Sequence, residues 1–220
     1  MPNTIEGPPN PFPRDFLSSS LPTGTLLHRV HDKKFAGNSP NPSTASLYRF
    51  SPIFDLANNV VPTLYAGDTQ HCAFMETVFR NISSTPGRRS IRASKLDTRV
   101  YSTIITTRPL KLGRLDATAL ARFGLQQQQL TATDAVYYAI TARWAEAFFR
   151  TDSSLDGIAW PSHRSSPNMA YMLFGKPTTS DDLKIITVPK ALLSDPHTWA
   201  ALKAAANDLK TKIPDFRDVR

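Results

Sequence analysis

Leu64-Tyr65-Ala66-Gly67-Asp68-Thr69-Gln70-His71-Cys72-Ala73-Phe74-Met75-Glu76 passes from strand to helix with almost no connection between them. Val60 to Ala66 is rich in β-branched and aliphatic residues and reads as a strand, ended by Gly67-Asp68. A helix should follow at once. Asp68 or Thr69 can accept hydrogen bonds from its first free amides, and Ala73, Met75, Val78 and Phe79 supply apolar bulk. Glu76 falls in the middle of that predicted helix, three residues after Ala73 and three before Phe79, and shares their partly apolar face. A carboxylate among Phe74-Met75 and Val78-Phe79 suggests the edge of a cleft.

Outward from this unit the chain alternates short strands and helices. Upstream, Thr25 to Val30 reads as a strand and Leu47 to Phe50 as a short extended piece halted by Ser51-Pro52. Residues 1–22 carry six prolines, which deny backbone donors to helix and sheet, so an irregular arm or tail is expected and the folded part should begin near Gly24. Downstream, Arg80, Arg88, Arg89, Arg92, Lys95 and Arg99 mark 80–99 as a basic surface loop. Arg99–Thr107 and Leu110–Leu115 follow as strands, and Ala117–Phe123 as a short helix ending at Gly124. The clearest helix is predicted over 132–150, capped by Thr133 or Asp134, with Val136, Ile140, Trp144 and Phe148 on one core-facing side. Strands are expected at Ile158–Trp160, Tyr171–Phe174 and Leu183–Val188. Asp195-Pro196 then opens a last helix that docks through Trp199, Leu202 and Leu209. There is no internal repeat and no βαβαβ rhythm, so the class is α+β. The expected organisation is an arm over 1–23, one domain over 24–190, and a C-terminal helix packed on it over 191–220.

Bulk composition sets outer bounds. At 220 residues and 40% hydrophobic, the chain can build one substantial core. The formal charge of +8 fits a nucleic-acid surface, an acidic partner, or a pocket for an anionic small molecule. No zinc finger, RNP motif or long basic arm supports direct nucleic-acid binding. One cysteine, Cys72, excludes an intramolecular disulfide and a multi-cysteine metal site, fits a reducing cytosol, and reads as a small buried hydrophobe. No signal peptide and no apolar run of membrane-spanning length is visible. The expected location is cytoplasmic, with delivery into another cell's cytosol left open.

Dinucleotide-fold, P-loop, zincin and nucleophile-elbow signatures are missing. His28 and His31 have only a weak metal-ligand spacing and read as loop-edge residues, so no metal is expected. Polar residues set into predicted strands are more informative. Arg29 lies within Leu27-His28-Arg29-Val30 and Arg49 within Leu47-Tyr48-Arg49-Phe50, and two such arginines suggest an anion site. Tyr65 ends the strand before Glu76, and Ser162 follows a strand and a proline, where its hydroxyl could point into the same cleft.

These residues lie in a recognisable order. His28-Arg29-Val30, then Tyr48-Arg49-Phe50-Ser51-Pro52, then the strand-to-helix stretch 64–76, then Asp156-Gly157-Ile158-Ala159-Trp160-Pro161-Ser162-His163-Arg164 together resemble the RES domain, a family named for Arg, Glu and Ser. Pro109-Leu110-Lys111-Leu112-Gly113-Arg114-Leu115-Asp116-Ala117-Thr118 and the helix after Thr133 also follow the family's order, so the resemblance spans about residues 24–188. Phe50 departs from the tryptophan found in many members, and 80–99 is a long insertion.

The resemblance implies an ADP-ribosyltransferase-like split β-sheet cleft with flanking helices, in which NAD is substrate and no cofactor is needed. It implies Glu76, Arg29 and Ser162 as catalytic groups and Arg29, Arg49, Tyr65 and Ser162 as NAD contacts. Family members are toxins of two-gene modules that hydrolyse or phosphorolyse NAD, so phosphate is a possible co-substrate. Their antitoxin partner carries a helix-turn-helix part and covers the active site. In this reading Arg29 and Arg49 clamp the pyrophosphate, Tyr65 stacks on nicotinamide, and Ser162 bonds the ribose or Glu76. Glu76 itself opposes the positive charge that develops on the ribose. Two rivals stand beside it: transfer of ADP-ribose to protein, and a non-enzymatic basic nucleic-acid-binding protein. Many ADP-ribosyltransferases carry a second Glu or Gln two residues before the catalytic one, and Phe74 in that place argues against transfer to protein.

Overall fold

Residues 63–67, 157–161 and 169–174, in the middle of the sheet, are buried almost throughout, so both faces of the sheet's centre must be covered. The computed structural model describes residues 5–83, 85 and 89–217. Its strands are β1 (Ser18–Leu21), β2 (Leu26–Asp32), β3 (Ile53–Phe54), β4 (Val60–Val61), β5 (Thr63–Gly67), β6 (Arg99–Thr106), β7 (Leu110–Arg114), β8 (Gly157–Pro161), β9 (Met169–Phe174), β10 (Leu183–Ile185) and β11 (Lys190–Ala191). Its helices are α1 (Gln70–Thr77), α2 (Ala117–Ala121), α3 (Gln127–Leu130), α4 (Tyr138–Thr151) and α5 (Pro196–Asp208).

The main sheet runs β1-β7-β8-β9-β5-β2-β6-β10, with β11 also on β6, and curls into a half-barrel. All its pairs are antiparallel except β7 with β8. Strands β2 and β5 share a single register pair, His28 with Gly67, whereas β2 and β6 match over seven residues from Leu26 to Asp32. The sheet is therefore two lobes joined at a narrow seam. This is an α+β fold of the split-sheet cleft type.

Period-two alternation assigns the cores. On β8 and β9, Ile158, Trp160, Ala170, Met172 and Phe174 face the outer core, where Trp144 and Phe148 of α4 pack. Ala159, Tyr171 and Leu173 between them face the concave side, against Leu27, Leu64, Ile104 and Leu112. A third core joins α1 and α5 to β2 and β6 through Phe74, Phe79, Tyr101 and Leu202. Leu202 docks fully, with Trp199 and Leu209 beside it, as the helical spacing anticipates.

Several expected features are replaced. The proline-rich start is not irregular throughout. Ser18–Leu21 pairs with β7, Phe12 and Phe16 pack edge-on against Phe148, and Trp144 Nε1 donates to the Glu6 carbonyl at 2.9 Å. Prolines leave the arm without regular hydrogen bonds, so it docks by aromatic side chains instead. The predicted 132–150 helix begins only at Tyr138, after a 3-10 turn over Ala135–Tyr137. Val136 is accordingly 80% exposed and drops out of the expected stripe. Residues 48–51 form a tight turn, not a strand, with backbone hydrogen bonds in both directions between Tyr48 and Ser51. In the basic segment, Ala93–Lys95 is a 3-10 turn, while Ser84, Pro86, Gly87 and Arg88 lie outside the described residues.

Gly157 marks where the sheet tolerates least change. A Cβ there would stand 2.2 Å from the Met172 carbonyl oxygen and 2.9 Å from Leu173 Cα, both backbone atoms of the neighbouring strand. Gly157→Ala should therefore destabilise the fold by about 2–3 kcal/mol as β8 and β9 are forced apart, which a urea unfolding curve would measure.

Candidate active site

Helix α1 is set against the sheet by a close approach and a cap. A Cβ on Gly67 would lie 2.9 Å from Cys72 Cβ and Sγ, so only glycine lets the helix start so near its strand. Thr69 Oγ1 accepts from Cys72 N at 3.1 Å and caps the first turn, one of the two caps expected. Asp68 fastens the same corner to β9 by accepting from Met169 N at 2.7 Å. The helix is only eight residues long, so Glu76 lies in its last turn and not at its middle. Phe74 and Met75 go to the core, 1% exposed each, and the Glu76 side chain emerges beside them with 11% exposure.

Three parts of the chain meet at that carboxylate. Arg49 Nη1 donates to Glu76 Oε2 at 2.9 Å, and Ser162 Oγ donates to Oε1 at 2.8 Å. Ser162 follows β8, where its amide bonds the Asn168 carbonyl at 2.8 Å, and its side chain is fully buried. Arg49 is carried by the 48–51 turn, whose carbonyl at Arg49 accepts from Thr141 Oγ1 of α4. Tyr65 fastens the other side of this turn: its hydroxyl takes a hydrogen bond from Phe50 N at 3.2 Å and lies 3.0 Å from Ser51 Oγ. Burial pushes the Tyr65 phenol up to about 12, so it stays protonated.

Arg29 has a different partner set from the phosphate clamp that the sequence suggests. It is 4% exposed on β2, and its Nη1 donates to the carbonyls of Gly37 at 2.7 Å and Ser39 at 2.8 Å. Its guanidinium fixes the 36–39 loop at one wall of the cleft. Burial lowers its pKa to about 9, which leaves it charged at neutral pH. Cys72 is buried and its thiol is pushed up to about 12, by burial first and then by the Glu76 and Asp68 charges, so it is no nucleophile.

Glu76 and Arg80 line two adjoining cavities. The larger, about 350 Å³, has Arg49, Arg80, His163 and Arg164 in its walls. The smaller, about 130 Å³, is lined by Tyr48, Tyr65 and Phe35 together with Arg29, Arg80, Arg99 and His31. A carboxylate on the shared wall of two arginine-lined cavities, one of which also has aromatic walls, suits a ligand that carries a flat ring and phosphates. Among the described residues no group of three or more His, Cys, Asp or Glu could hold a metal ion, and no helix is long and apolar enough to cross a membrane.

Sequence reading missed Arg80, Tyr48 and Arg164 as site residues. Arg80 is only four residues after Glu76, a spacing that would put both on one side of a continued helix, but α1 ends at Thr77 and the turn after it brings Arg80 to the same wall. His28 and His31 are not loop-edge residues. Both lie on β2, His28 Nδ1 at 2.6 Å from the Tyr101 hydroxyl and His31 Nε2 at 2.9 Å from Ser102 Oγ.

A family model of the RES domain matches residues 26–199, which is 174 of the 220 residues. No curated protein matches the chain.

Burial, and then the Arg29 charge, lower His31 from 6.5 to about 4. Between those two pH values the unfolded chain binds the extra proton and the folded chain does not. The stability supplied by neutral His31 is thus complete above pH 6.5 and is lost as pH falls towards about 4. Thermal unfolding across that window should show the midpoint falling with pH, and His31→Gln should flatten the dependence.

Proposed function

We propose that this chain, which belongs to the RES domain family, breaks the nicotinamide–ribose bond of NAD and passes the ADP-ribosyl group to phosphate or water. The observation that carries this reading is the Glu76 carboxylate, held by Arg49 and Ser162 on the wall common to two arginine-lined cavities, the smaller of which also has aromatic walls. Family membership supports a toxin that acts on NAD.

Nicotinamide leaves NAD as a neutral molecule, taking the bonding pair and discharging its ring, so the leaving group needs little acid. The demanding feature is the cationic, oxocarbenium-like ribose. Glu76 faces this charge and accepts hydrogen bonds from the ribose hydroxyls, while Arg49 and Ser162 fix the plane of its carboxylate before substrate arrives. Tyr65 and Tyr48 wall the nicotinamide chamber. Arg29 shapes that chamber by holding the 36–39 loop. A water oxygen then bonds to the ribose carbon and sheds a proton, giving ADP-ribose. A phosphate oxygen does the same, giving ADP-ribose 1″-phosphate.

Phe74, two residues before Glu76, is 1% exposed and packs on Tyr101 at a ring separation of 6.1 Å. It supplies no second acid to position a protein acceptor. An antitoxin partner that covers the cleft would find exposed apolar side chains next to its walls: Val136 follows Ala135 of the larger cavity and Leu47 precedes Tyr48 of the smaller, 80% and 53% exposed.

Glu76→Gln keeps the hydrogen-bonding shape and removes the charge. It should fold normally and lose NAD consumption by about 10²–10³-fold, followed as nicotinamide release. Full turnover in a folded Gln variant would end this assignment.

Lysine separates the two arginines. Arg49→Lys keeps the charge but loses the fork that serves Glu76, so turnover and the apparent KM for NAD should both worsen with the fold intact. Arg29→Lys should show first as a lower unfolding midpoint, because several loop carbonyls lose one donor.

Adenylate-labelled NAD tests the acceptor. The label should appear in free ADP-ribose, or in its phosphate ester when phosphate is present, and leave proteins unlabelled. A labelled protein band that disappears with Glu76→Gln would replace this reading by protein ADP-ribosylation.

A further inference from the structure

The larger cavity holds more positive charge than the carboxylate at its wall can balance. Arg49, Arg80 and Arg164 line it with His163, against Glu76 and Asp134. Glu76 is committed to Arg49 and Ser162, and Asp134 is exposed at the rim. Among the described residues Arg80 and Arg164 form no ion pair with any carboxylate.

The Arg80 guanidinium is instead held between two rings, 4.9 Å from the Tyr48 centroid and 5.5 Å from that of Tyr138. Tyr138 is itself fixed in the core, with its hydroxyl donating to Asn81 Oδ1 at 2.9 Å. Two aromatic faces hold a cation in place without neutralising it. The Nε–H of Arg80 is buried and has no hydrogen-bond partner, and the same is true of Nε on Arg49, a residue only 6% exposed. Arg164 reaches the Ile82 carbonyl with Nη2 at 3.3 Å. Burial, and then the charges of Arg89 and Arg49, lower its pKa, the mark of like charges crowded together.

Buried unpartnered donors are costly, and a guanidinium cluster with unpartnered N–H groups is satisfied best by an oxyanion with several acceptor atoms. We propose that Arg80, with Arg164 and the Nε edge of Arg49, forms a phosphate-oxyanion site beside Glu76, and that Tyr48 and Tyr138 hold Arg80 in position for it. The anion is either a phosphoryl group of the dinucleotide or free inorganic phosphate. Its use in turnover rests on the NAD reading above; the site itself does not.

Calorimetric titration of the full chain with inorganic phosphate, pyrophosphate and ADP-ribose, at constant ionic strength set with chloride, tests this. Pyrophosphate and ADP-ribose should bind saturably, and Arg80→Gln and Arg164→Gln should each weaken them about tenfold or more. Arg80→Lys should weaken them too, since lysine has neither the planar fork nor the stacking face. It also carries the test if the Gln variant fails to fold by circular dichroism. Phosphate that competes with ADP-ribose identifies the site as the seat of the dinucleotide's phosphates. Phosphate that binds alongside ADP-ribose, still lost with Arg80→Gln, identifies free phosphate as the occupant. Unchanged affinities in folded Arg80→Gln and Arg164→Gln would overturn the site. NAD turnover followed in parallel separates the two claims. Turnover with anion binding indifferent to both arginines removes the site and leaves the NAD reading. Anion binding lost with Arg80 in a protein that never consumes NAD does the reverse.

Discussion

A carboxylate that is nearly out of water must be paid for by its neighbours, and Glu76 is held by two of them, Arg49 and Ser162. Desolvating an ion pair costs several kcal/mol per ion, and good geometry only about offsets it. The pair thus adds little to the stability of the fold. What it does is tie three distant parts of the chain to one point: a turn at 48–51, the last turn of α1 and the end of β8. Each of these is anchored in turn. Tyr65 and Thr141 hold the Arg49 turn, Gly67 and Thr69 seat the helix, and the Ser162 amide is bonded to Asn168. Removing one member would leave the others buried and unpaired, so the surroundings read as a support for this linkage.

The seam between the two sheet lobes gives the linkage its place. Because β2 and β5 pair only at His28 and Gly67, the sheet opens beyond that pair, and α1, which starts just after Gly67, brings Glu76 and Thr77 back to the cavity between residues 30–32 and 63–65. Arg29 stands on β2 at one side of the seam and Tyr65 on β5 at the other. A continuous, flat sheet would bring the strands together and leave no room for cavities on either side of Glu76. Cleft and chemistry share one cause, the break in strand pairing.

How much of this was legible from residues follows the range of the interactions. Local signals carried well: the strand running into a capped helix at Thr69, the Asp195-Pro196 start of α5, and the apolar strand at 171–174. The cluster of Arg49, Glu76 and Ser162 could be proposed because a family order linked the three, since no local rule joins residues 27 and 86 positions apart. Arg29 illustrates what stays hidden. An arginine on a strand looks alike whether it meets a phosphate or its own chain's carbonyls, and only the fold shows Gly37 and Ser39 within reach. Val136 failed for a subtler reason. It keeps the four-residue spacing, but the chain there is a 3-10 turn, whose three-residue period swings the side chain into solvent. The docked arm was invisible because its contacts are long-range aromatic ones, and proline content speaks only of its own backbone.

Some of the buried polar atoms left without hydrogen bonds lie at the same place. Among the described residues these atoms are Nε of Arg49 and Arg80, which line the larger cavity, and Oδ1 of Asp68, Nε2 of His71 and Nε1 of Trp160, which line neither cavity. Arg49 carries the ion pair and Arg80 closes both cavities. Asp68 begins the connection into α1, and Trp160 stands two residues before Ser162. Cores of folded proteins satisfy nearly all such atoms, because each orphan costs about 1–3 kcal/mol. A fold selected for stability alone would spread the few exceptions or remove them. Two of them, on Arg49 and Arg80, meet in the wall of the cavity beside Glu76, where an oxyanion would give their N–H groups partners. The stability forgone at these two arginines is therefore available on binding, and it adds to affinity for such an anion.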